Sequence, residues 1–395
     1  MIKILYIIDK MKPAGAQTHL AEVILGLNKP EFEARLVTLE ELGVRRIYGV
    51  SGFRGLLKLI RLIKKERFDI VQTYLFSENI LGVIAAKIAG VKIIITGRRD
   101  TGMLCQGGWQ NILAYRLTNP FVSKIVCVSE AVRRVVLEKE RVSQDKVEVI
   151  FNGVDTDRFD GRGTKDEGRR KIKQELGIKV EDLIVGMIAN FSWIKGHEVL
   201  LKAAKEVIRQ IPNVVFILIG DGALLQRYKL QAASQGLKDK ILFLGKRKDI
   251  SELLSIMDVS LNLSYSEGMS NTILESMAAG VPVVATAVDG NLETVSDETG
   301  ILVPVKDSKA TAEAIIKLLK DPDARRRLGE NAKRIAREKF DSRIMIGKME
   351  KLYRELKAFS SKLMGKATSC KLQATGFKLQ AAGHKLKATS YKLKA

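Results

Sequence analysis

Short apolar runs alternate with longer amphipathic segments along nearly the whole chain. Six apolar runs come first, and five more follow a polar, glycine-containing break at residues 160–170. In order they read IKILYIID, EARLVTL, FDIVQTY, VKIIITG, KIVCVSE and KVEVIFN, then DLIVGMIAN, NVVFILIGDG, KILFLGK, DVSLNLS and VPVVATA. Runs that are apolar on both faces predict parallel strands covered by helices on both sides. The pattern therefore predicts an α/β fold of two doubly wound, Rossmann-like domains that face each other across a cleft.

The break and the C-terminal sequence divide the chain into four predicted parts. The first domain takes residues 1–165 and the second takes residues 166–335, because 395 residues are too many for one ordinary core. Residues 336–360 predict a helix that returns to the first domain. Residues 361–395 form a lysine-rich tail with a seven-residue repeat but no single apolar helical stripe. We expect this tail to be disordered, with contact to a membrane surface as the alternative.

Composition restricts the compartment and the partners. The three cysteines and three histidines are scattered without metal-ligand spacing, which predicts a reducing compartment and no metal site. No apolar run reaches the ~18 residues of a spanning helix, and the N-terminus reads as a buried strand, so we expect a cytoplasmic protein. Of the net charge of +22, eight charges are lysines from Lys362 onward, which leaves +14 on the rest. A basic surface attracts nucleic acids, anionic lipids or phosphorylated substrates, and charge alone does not choose between them.

The segment SEGMSNTILESMAAGVPVVAT contains two glutamates, Glu267 and Glu275, eight residues apart. Eight helical residues rise ~12 Å, which suits the two ends of a long ligand such as a nucleotide-sugar. A helix that starts near Ser270 offers free backbone N–H groups and the positive end of its dipole to a diphosphate. Gly268 would let the backbone approach that ligand closely. The segment therefore predicts a site that holds sugar, diphosphate and ribose in line.

This segment resembles the E-x7-E motif of the GT-B glycosyltransferases, specifically the large retaining family of the group 1 or family 4 type. That family includes many bacterial enzymes of cell-surface polysaccharide and lipopolysaccharide synthesis. The resemblance extends from Met1 to about Leu356, because SEAVR, VIFNGVDTDRF, KGHEVLLKA, ILIGDG, LGKRKDI and VDGNLETV also resemble the family in its order. A single such motif is weak, whereas the ordered series is specific.

The resemblance implies a role for each matching position. Glu267 would face the transferred sugar and Lys195 would neutralise the diphosphate leaving group, so these two are the candidate catalytic residues. Glu275 would bind the ribose hydroxyls. The remaining candidate donor-binding residues are Gly15, Asn190, Arg247, Gly268, Met269, Ser270 and Asn271. The nucleotide-sugar is the donor substrate, and neither a metal nor another cofactor is expected.

This chain departs from the family at two places. The family usually carries an arginine five residues before the lysine, and Asn190 stands there instead. One phosphate-binding cation is therefore missing or supplied by Arg247. The first domain's H-x-H motif appears as Gln72 and Tyr74. The neighbouring loop at residues 97–100 is a candidate for the acceptor side.

Three functions are compatible with these features. The leading hypothesis is transfer of a sugar, with retention of configuration, to a lipid-linked or saccharide acceptor. The second is a nucleotide-sugar 2-epimerase of the same fold, although histidines for acid–base chemistry are scarce. The third is a non-enzymatic polyanion-binding protein; nucleic acid is not the expected partner, because aromatic residues make up only 6% of the chain.

A basic stretch from Arg45 to Arg67 predicts a peripheral contact with anionic lipid at the inner face of the membrane. Its basic residues are interleaved with Leu and Ile; they are Arg45, Arg46, Arg54, Lys58, Arg61, Lys64, Lys65 and Arg67. The alternative interpretation is an amphipathic helix that only packs on the sheet.

Overall fold

The computed structural model describes residues 1–11, 15–101, 108–160 and 166–362. Within them, two six-stranded sheets form, and every strand pair that is hydrogen-bonded is parallel. The first sheet has the order β2-β1-β3-β4-β5-β6. Its strands are β1 Ile2–Ile8, β2 Phe32–Thr38, β3 Ile70–Thr73, β4 Ile93–Arg98, β5 Lys124–Cys127 and β6 Val147–Val149.

The second sheet has the order β12-β11-β10-β7-β8-β9. Its strands are β7 Leu183–Ile188, β8 Val214–Ile219, β9 Ile241–Gly245, β10 Val259–Asn262, β11 Val283–Thr286 and β12 Gly300–Val303. The two doubly wound domains confirm the predicted fold class. The apolar pattern missed β12, which is four residues long and partly exposed at the edge of the sheet.

Helices cover both faces of each sheet. In the first half they are α1 Gly15–Gly26, α2 Val50–Glu66, α3 Leu75–Ala89, α4 Gly108–Thr118 and α5 Glu130–Val135. In the second half they are α6 Asp166–Glu175, α7 His197–Gln210, α8 Leu225–Ser234, α9 Ile250–Ser255, α10 Asn271–Ala278, α11 Asn291–Thr294, α12 Ser308–Lys320 and α13 Pro322–Lys339. A last helix, α14, spans residues 342–362. Because strands such as β3 and β8 are buried along their whole length, both faces of the sheets need this cover.

Helix α14 packs on the first sheet although it follows the second domain in the chain. Its residues Met345, Met349, Leu352 and Tyr353 share one buried cluster with Ile4 and Tyr6 of β1. Two exposed ion pairs flank this contact: Arg354 Nε lies 2.7 Å from Glu31 Oε1, and Lys357 Nζ lies 2.5 Å from Asp69 Oδ1. The chain therefore crosses between the domains twice. We predicted a disordered tail at residues 361–395. From residue 363 onward this tail lies outside the described part of the chain.

Each sheet contains one pair of neighbouring strands from which the chain continues toward opposite edges of the sheet. In the first sheet this pair is β1 and β3, and in the second it is β7 and β10. The loops that leave such a pair of strands diverge and open a crevice at their carboxyl ends. Two crevices are thereby available for ligands.

Among the described residues, no helix combines the length and the apolar character that crossing a membrane requires.

Candidate active site

The crevice between β7 and β10 brings Lys195 and Glu267 together from positions 72 residues apart. Lys195 ends a 3₁₀ turn at Trp193–Lys195, after β7, and Glu267 lies in the loop between β10 and α10. Lys195 Nζ donates to both carboxylate oxygens of Glu267, at 2.7 and 3.0 Å. The side chains are only 22% and 15% exposed, so the pair is poorly screened by solvent. Both candidate catalytic residues therefore lie at one point.

A glycine next to Lys195 makes this geometry possible. Gly196 has a φ of +73°, and a Cβ atom there would lie 2.0 Å from the carbonyl oxygen of Leu263. Any other residue would therefore be strained by the backbone conformation and would also collide with the loop after β10. Gly196 lets the two loops approach closely enough for the ion pair to form.

The cleft beside this pair has a volume of about 610 Å³ and is lined by both domains. Of the candidate residues, those in its wall are Gly15, Asn190, Lys195, Arg247, Glu267, Gly268, Met269, Ser270 and Asn271. The volume lies in the range of pockets that hold small-molecule ligands. The structure therefore brings all the candidate residues except Glu275 to one surface.

The N-terminus of α10 opens into this cleft. Ser270 caps the helix, since its hydroxyl accepts from the N–H of Ile273 at 3.4 Å, and Asn262 Nδ2 fixes that hydroxyl at 2.9 Å. Asn271 Nδ2 donates to the carbonyl of Gly15 at 3.2 Å, which ties this helix to the start of α1. The first N–H groups of a helix have no intrahelical acceptor, and they carry partial positive charge. This end of α10 is a suitable place for a phosphate group.

Gly268 lies at a close contact between the two domains. A Cβ atom on this residue would lie 2.1 Å from the carbonyl oxygen of Arg99 in the first domain. The neighbouring Met269 is buried, and its sulfur accepts the N–H of Asn152 at 3.2 Å. The sequence predicted that Gly268 lets a ligand approach, and in the structure the backbone of the first domain approaches this residue.

Glu275 lies one turn farther along α10, and the wall of the cleft ends before it at Thr272. Burial raises the pKa of its carboxyl to about 7, against the opposing effect of Arg158, and Glu22 of α1 raises it further. Two acids and one arginine from both domains thus meet beside α10. The structure does not place Glu275 in the same surface as Glu267.

Arg247 and its neighbours supply positive charge at the far end of the cleft. Arg247 lines the cleft beside Lys246 and Lys248, and its guanidinium binds Asp249, with Nε 2.8 Å from Oδ1. Lys246 Nζ lies 3.6 Å from a carboxylate oxygen of Asp221. The wall of the cleft therefore contains several cations, although Asn190 stands at the position where the family usually has an arginine. Lys248 was missed by the sequence analysis, although it stands in the same run of basic residues.

The two consecutive arginines at the end of β4, Arg98 and Arg99, have different roles. Arg98 points into the core, where Glu140 binds its Nε and Nη2 at 2.8 and 2.9 Å, and the pair is 3% and 0% exposed. Arg99 points to the cleft, where its Nη2 donates to Asn152 Oδ1 at 2.6 Å. Burial lowers the pKa of Arg99 to about 10. Successive side chains of a strand point to opposite sides, so one arginine stabilises the core and the other faces the site.

Gln72 and Tyr74 do not face the cleft. Tyr353 of α14 donates to Gln72 Oε1 at 2.6 Å, Gln72 Nε2 donates to Tyr74 at 2.9 Å, and Tyr6 lies 3.0 Å from Tyr353. All of these side chains are buried. The positions that resemble the H-x-H motif therefore anchor the last helix to the first domain.

Asp289 holds the backbone of Glu267 in place through a network of hydrogen bonds. Its Oδ2 accepts from Thr101 Oγ1 at 2.7 Å, from Ser266 Oγ at 2.9 Å and from the N–H of Glu267 at 3.3 Å. Thr101 belongs to the first domain, so this network also joins the two domains. The sequence analysis missed Asp289 because it lies 22 residues from Glu267 in a separate loop.

Another interdomain contact joins α11 to the start of α5. Glu293 of α11 accepts from the N–H groups of Glu130 and Ala131 at 2.9 and 2.7 Å. A carboxylate at the start of a helix is favourable because the first N–H groups have no other acceptor. The described conformation is therefore one in which the two domains are in direct contact. Across the described ranges, no group of three or more His, Cys, Asp or Glu residues is arranged to hold a metal ion.

Comparison with known proteins identifies the family. The sequence model of "Glycosyl transferases group 1" matches residues 168–335, and that of "Glycosyltransferase Family 4" matches residues 13–158. A UDP-Gal:alpha-D-GlcNAc-diphosphoundecaprenol alpha-1,3-galactosyltransferase of Escherichia coli is 30% identical over 292 residues, which are 70% of this chain and 73% of the relative. A capsular polysaccharide biosynthesis glycosyltransferase of Staphylococcus aureus is 27% identical over 77% of this chain and 81% of the relative.

Solved structures agree in fold. The Anabaena protein HepE in complex with UDP-glucose superposes with a TM-score of 0.79 at 23% identity, over 90% of this chain and all of that one. A sucrose-phosphate synthase of Thermosynechococcus elongatus gives a TM-score of 0.77 at 19% identity, over 91% of this chain and all of that one. The chain therefore belongs to the group 1 glycosyltransferases of family 4, and its two domains form the GT-B fold.

Proposed function

We propose that this glycosyltransferase moves a hexosyl group from a nucleotide-sugar to a lipid-linked or saccharide acceptor in cell-surface polysaccharide or lipopolysaccharide synthesis. The observation that carries the proposal is the half-buried Lys195–Glu267 pair beside the N-terminus of α10 in the interdomain cleft. HepE, which shares this fold, was solved with UDP-glucose. The E. coli relative is named for an acceptor linked to diphosphoundecaprenol, which supports the lipid-linked class.

In this proposal the first N–H groups of α10 and the Lys195 ammonium hold the donor diphosphate. Charge grows on the diphosphate as its bond to the sugar breaks, and fixed positive groups there stabilise the transition state. Glu267 faces the transferred sugar and, through its pairing, fixes the position of Lys195. For a reaction with retention, the acceptor hydroxyl approaches from the side of the leaving group, and its proton passes to the leaving phosphate oxygen.

The test is incubation of the purified protein with UDP-sugars and GDP-sugars, with and without an acceptor lipid extract. Consumption of the donor only when the acceptor is present is the expected result. Conversion of one nucleotide-sugar into another without acceptor would instead identify an epimerase. A donor that remains unchanged in both reactions would leave binding of a polyanion as the function.

We also propose that transfer needs no metal ion, because the cleft supplies Lys195, Arg247, Lys246 and Lys248 for the diphosphate. Turnover should therefore remain after treatment with EDTA and removal of the chelate by gel filtration. The control is the same protein carried through the filtration without EDTA. Activity that disappears and returns only with added Mg²⁺ or Mn²⁺ would contradict the proposal.

We propose in addition that α2 and the residues before it contact the cytoplasmic membrane surface. All eight basic residues between Arg45 and Arg67 are exposed, whereas Leu59 and Ile63 of the same helix are buried in the core. Large apolar side chains are also exposed at the start of α2, with Tyr48 at 71% and Phe53 at 62%. The packing face and the basic face thus belong to one amphipathic helix, and the two interpretations of the sequence are compatible.

The position of these residues suits an acceptor that is held in a membrane. Helix α2 follows a parallel strand, so it begins at the carboxyl edge of the first sheet, where the cleft also lies. Aromatic side chains insert at a membrane interface, and each nearby basic residue adds ~1 kcal/mol of attraction to anionic lipid. A surface that carries both would bring the cleft close to a lipid-linked acceptor.

Co-sedimentation with vesicles that contain acidic phospholipid tests this contact, at low and high salt. Full-length protein and a version that ends near Ser360 should both bind at low salt, and Phe53→Ser should weaken binding. The matched control is Phe359→Ser, because Phe359 is 63% exposed but lies on α14. If neither protein binds at low salt, the basic face is only solvated and the acceptor is soluble.

A further inference from the structure

A second cavity lies on the second domain, outside the interdomain cleft. Its volume is about 360 Å³. Its wall contains three aromatic rings, three cations and one carboxylate, from Trp193, Tyr228, Tyr265, Lys202, Arg227, Lys306 and Glu198. We refer to this cavity as the outer pocket. No residue of its wall belongs to the wall of the cleft.

The outer pocket and the cleft are separated by only two chain segments. Trp193 and Tyr265 face the outer pocket, and two residues later in each segment Lys195 and Glu267 face the cleft. The segments are joined by the hydrogen bond from the N–H of Tyr265 to the carbonyl of Ile194, at 2.8 Å. The outer pocket therefore lies directly behind the Lys195–Glu267 pair.

One aromatic ring of the outer pocket, that of Trp193, is largely exposed. Trp193 is 57% exposed, and its ring centroid lies 6.1 Å from that of Tyr265 at an interplanar angle of 52°. Two rings set at an angle on the wall of a cavity offer apolar surface to a ligand face, and the Trp N–H and Tyr O–H offer polar edges. Isolated exposed apolar residues are common, but paired rings in a concave surface indicate binding.

The charge of the outer pocket is positive. Glu198 pairs with Lys202 at 2.8 Å, so this carboxylate and this ammonium balance. Within the described part of the chain, Arg227 and Lys306 form no ion pair of their own, although both contribute to the field that lowers the pKa of Glu198. Lys306 Nζ instead lies 5.1 Å from the centre of the Tyr265 ring. Two cations therefore remain available to an anionic ligand.

The backbone of Lys306 is held in a rare conformation. Its φ is +62°, in the left-handed region that residues other than glycine seldom adopt. Backbone strain of this kind is concentrated at ligand-binding and switch positions. Here it directs the lysine over Tyr265 at the rim of the outer pocket.

We propose that the outer pocket is a binding site for an anionic saccharide, whose ring packs on Trp193 and Tyr265 while Arg227 and Lys306 bind its acidic group. The flat, C–H-bearing face of a sugar ring suits an aromatic surface, and a planar guanidinium binds a carboxylate or phosphate through two hydrogen bonds. The choice of a saccharide rests on the proposed function, whereas the anion site does not. A uronic acid and a sugar phosphate share the required chemistry.

Tryptophan fluorescence tests the proposal, because the chain has only two tryptophans, Trp193 and Trp109. In a Trp109→Phe background, Trp193 is the single reporter. The probes are a tetrasaccharide of alternating glucuronic acid and N-acetylglucosamine, glucose 1-phosphate, and neutral maltotetraose. We expect a saturable change with at least one acidic probe, and binding that is weaker by about tenfold or more when Arg227 and Lys306 are both changed to Ala.

Lys205→Ala is the matched control, because Lys205 is exposed on α7 but lies outside the wall of the outer pocket. No saturable change with either acidic probe would overturn the proposal, and so would equally tight binding of maltotetraose or unchanged binding in the double variant. A response to the uronic acid alone, or to the phosphate alone, supports the proposal and identifies the acidic group. Failure of sugar transfer together with intact fluorescence titrations would contradict the proposed function and leave the anion site standing.

Discussion

The two domains share one architecture, but the crevices at their strand ends are chemically different. In the second domain, Lys195 and Glu267 form an ion pair beside the N-terminus of α10. In the first domain, the corresponding edge carries buried ionisable groups without hydrogen-bond partners among the described residues, including His19 Nδ1 and both carboxyl oxygens of Glu78. Burial lowers the pKa of His19 well below its usual value and raises that of Glu78 to about 8.

The difference follows from the presence or absence of a counter-charge within reach. A charge that leaves water is costly unless an opposite charge or several hydrogen bonds replace the water. Lys195 and Glu267 supply this to each other, and Lys195 can act on a phosphate as a fixed cation. His19 and Glu78 lack such a partner and favour their neutral forms. A charged pair therefore lies at the edge of the second sheet, whereas the edge of the first sheet also holds buried groups that favour their neutral forms.

The largest effect is expected from breaking the charged pair. Glu267→Gln and Lys195→Ala should each lower kcat by about 10²–10³-fold, because the fixed charge opposite the leaving group is lost or displaced. The thermal transition and circular dichroism should stay close to those of the wild type. Lys205→Ala, on the exposed face of α7, is the matched control. Turnover near the wild-type rate in both variants would remove the pair from the mechanism.

A variant of Gly268 tests whether the strand-end edges of the two domains must be in contact for the reaction. Gly268→Ala places a methyl group 2.1 Å from the carbonyl oxygen of Arg99, so the domains have to separate at this point. A displacement of about 1 Å can lower the rate by ~10²-fold, and we expect a loss of this size in kcat. Gly347→Ala is the control, because its Cβ meets no atom within 4 Å. Equal rates for both variants would show that this contact is not part of the reactive conformation.

A variant of Glu275 distinguishes two possible roles of this residue: binding of the donor and an electrostatic contact between the domains. If Glu275 binds the ribose, Glu275→Ala should weaken donor binding by ~1–3 kcal/mol, because a buried acceptor for the hydroxyls is lost. Calorimetric titrations with UDP and with the nucleotide-sugar donor measure this loss of affinity. Unchanged donor affinity would count against the ribose assignment and favour a role for Glu275 beside Glu22 and Arg158.

The smallest effect concerns the pH dependence of stability in the first domain. Burial raises the pKa of Glu78 to about 8 in the folded protein, against an ordinary value of 4.5. Between these values the folded state retains a proton that the unfolded state loses, so the free energy of unfolding falls as the pH rises. Glu78→Gln removes this dependence. Urea unfolding at pH 5 and pH 8 should show a smaller drop for the variant, and identical drops would contradict the buried-acid assignment.

Local patterns predicted the two parallel sheets and a helix that starts near Ser270. The apolar strands are continuous stretches of sequence, and the Gly268–Asn271 motif forms one loop and one helix start. Contacts between distant segments could not be predicted in the same way. Arg98 and Arg99 look equivalent in the sequence, and only Glu140, 42 residues from Arg98, shows which of them belongs to the core.

The same limit applies to Gln72, whose partner Tyr353 is 281 residues away. Strand β12 was missed for a different reason. Its residues Gly300–Val303 follow a polar turn and form a short edge strand, which gives a weak apolar signal. Asp289 likewise shows no local pattern, since its importance comes from the loop that it supports.

The return of α14 to the first sheet has a consequence for biosynthesis. Tyr6 meets Tyr353 across 347 residues of chain, so a ribosome that adds 5–20 residues per second needs roughly 17–70 s between the two. During that time the face of β1 that Met345, Met349 and Leu352 later cover lacks its partner. The N-terminal half must therefore stay unaggregated with an uncovered apolar face while the second domain is translated. Nascent chains arrested before residue 342 should bind a cellular chaperone, and chains released after residue 362 should not.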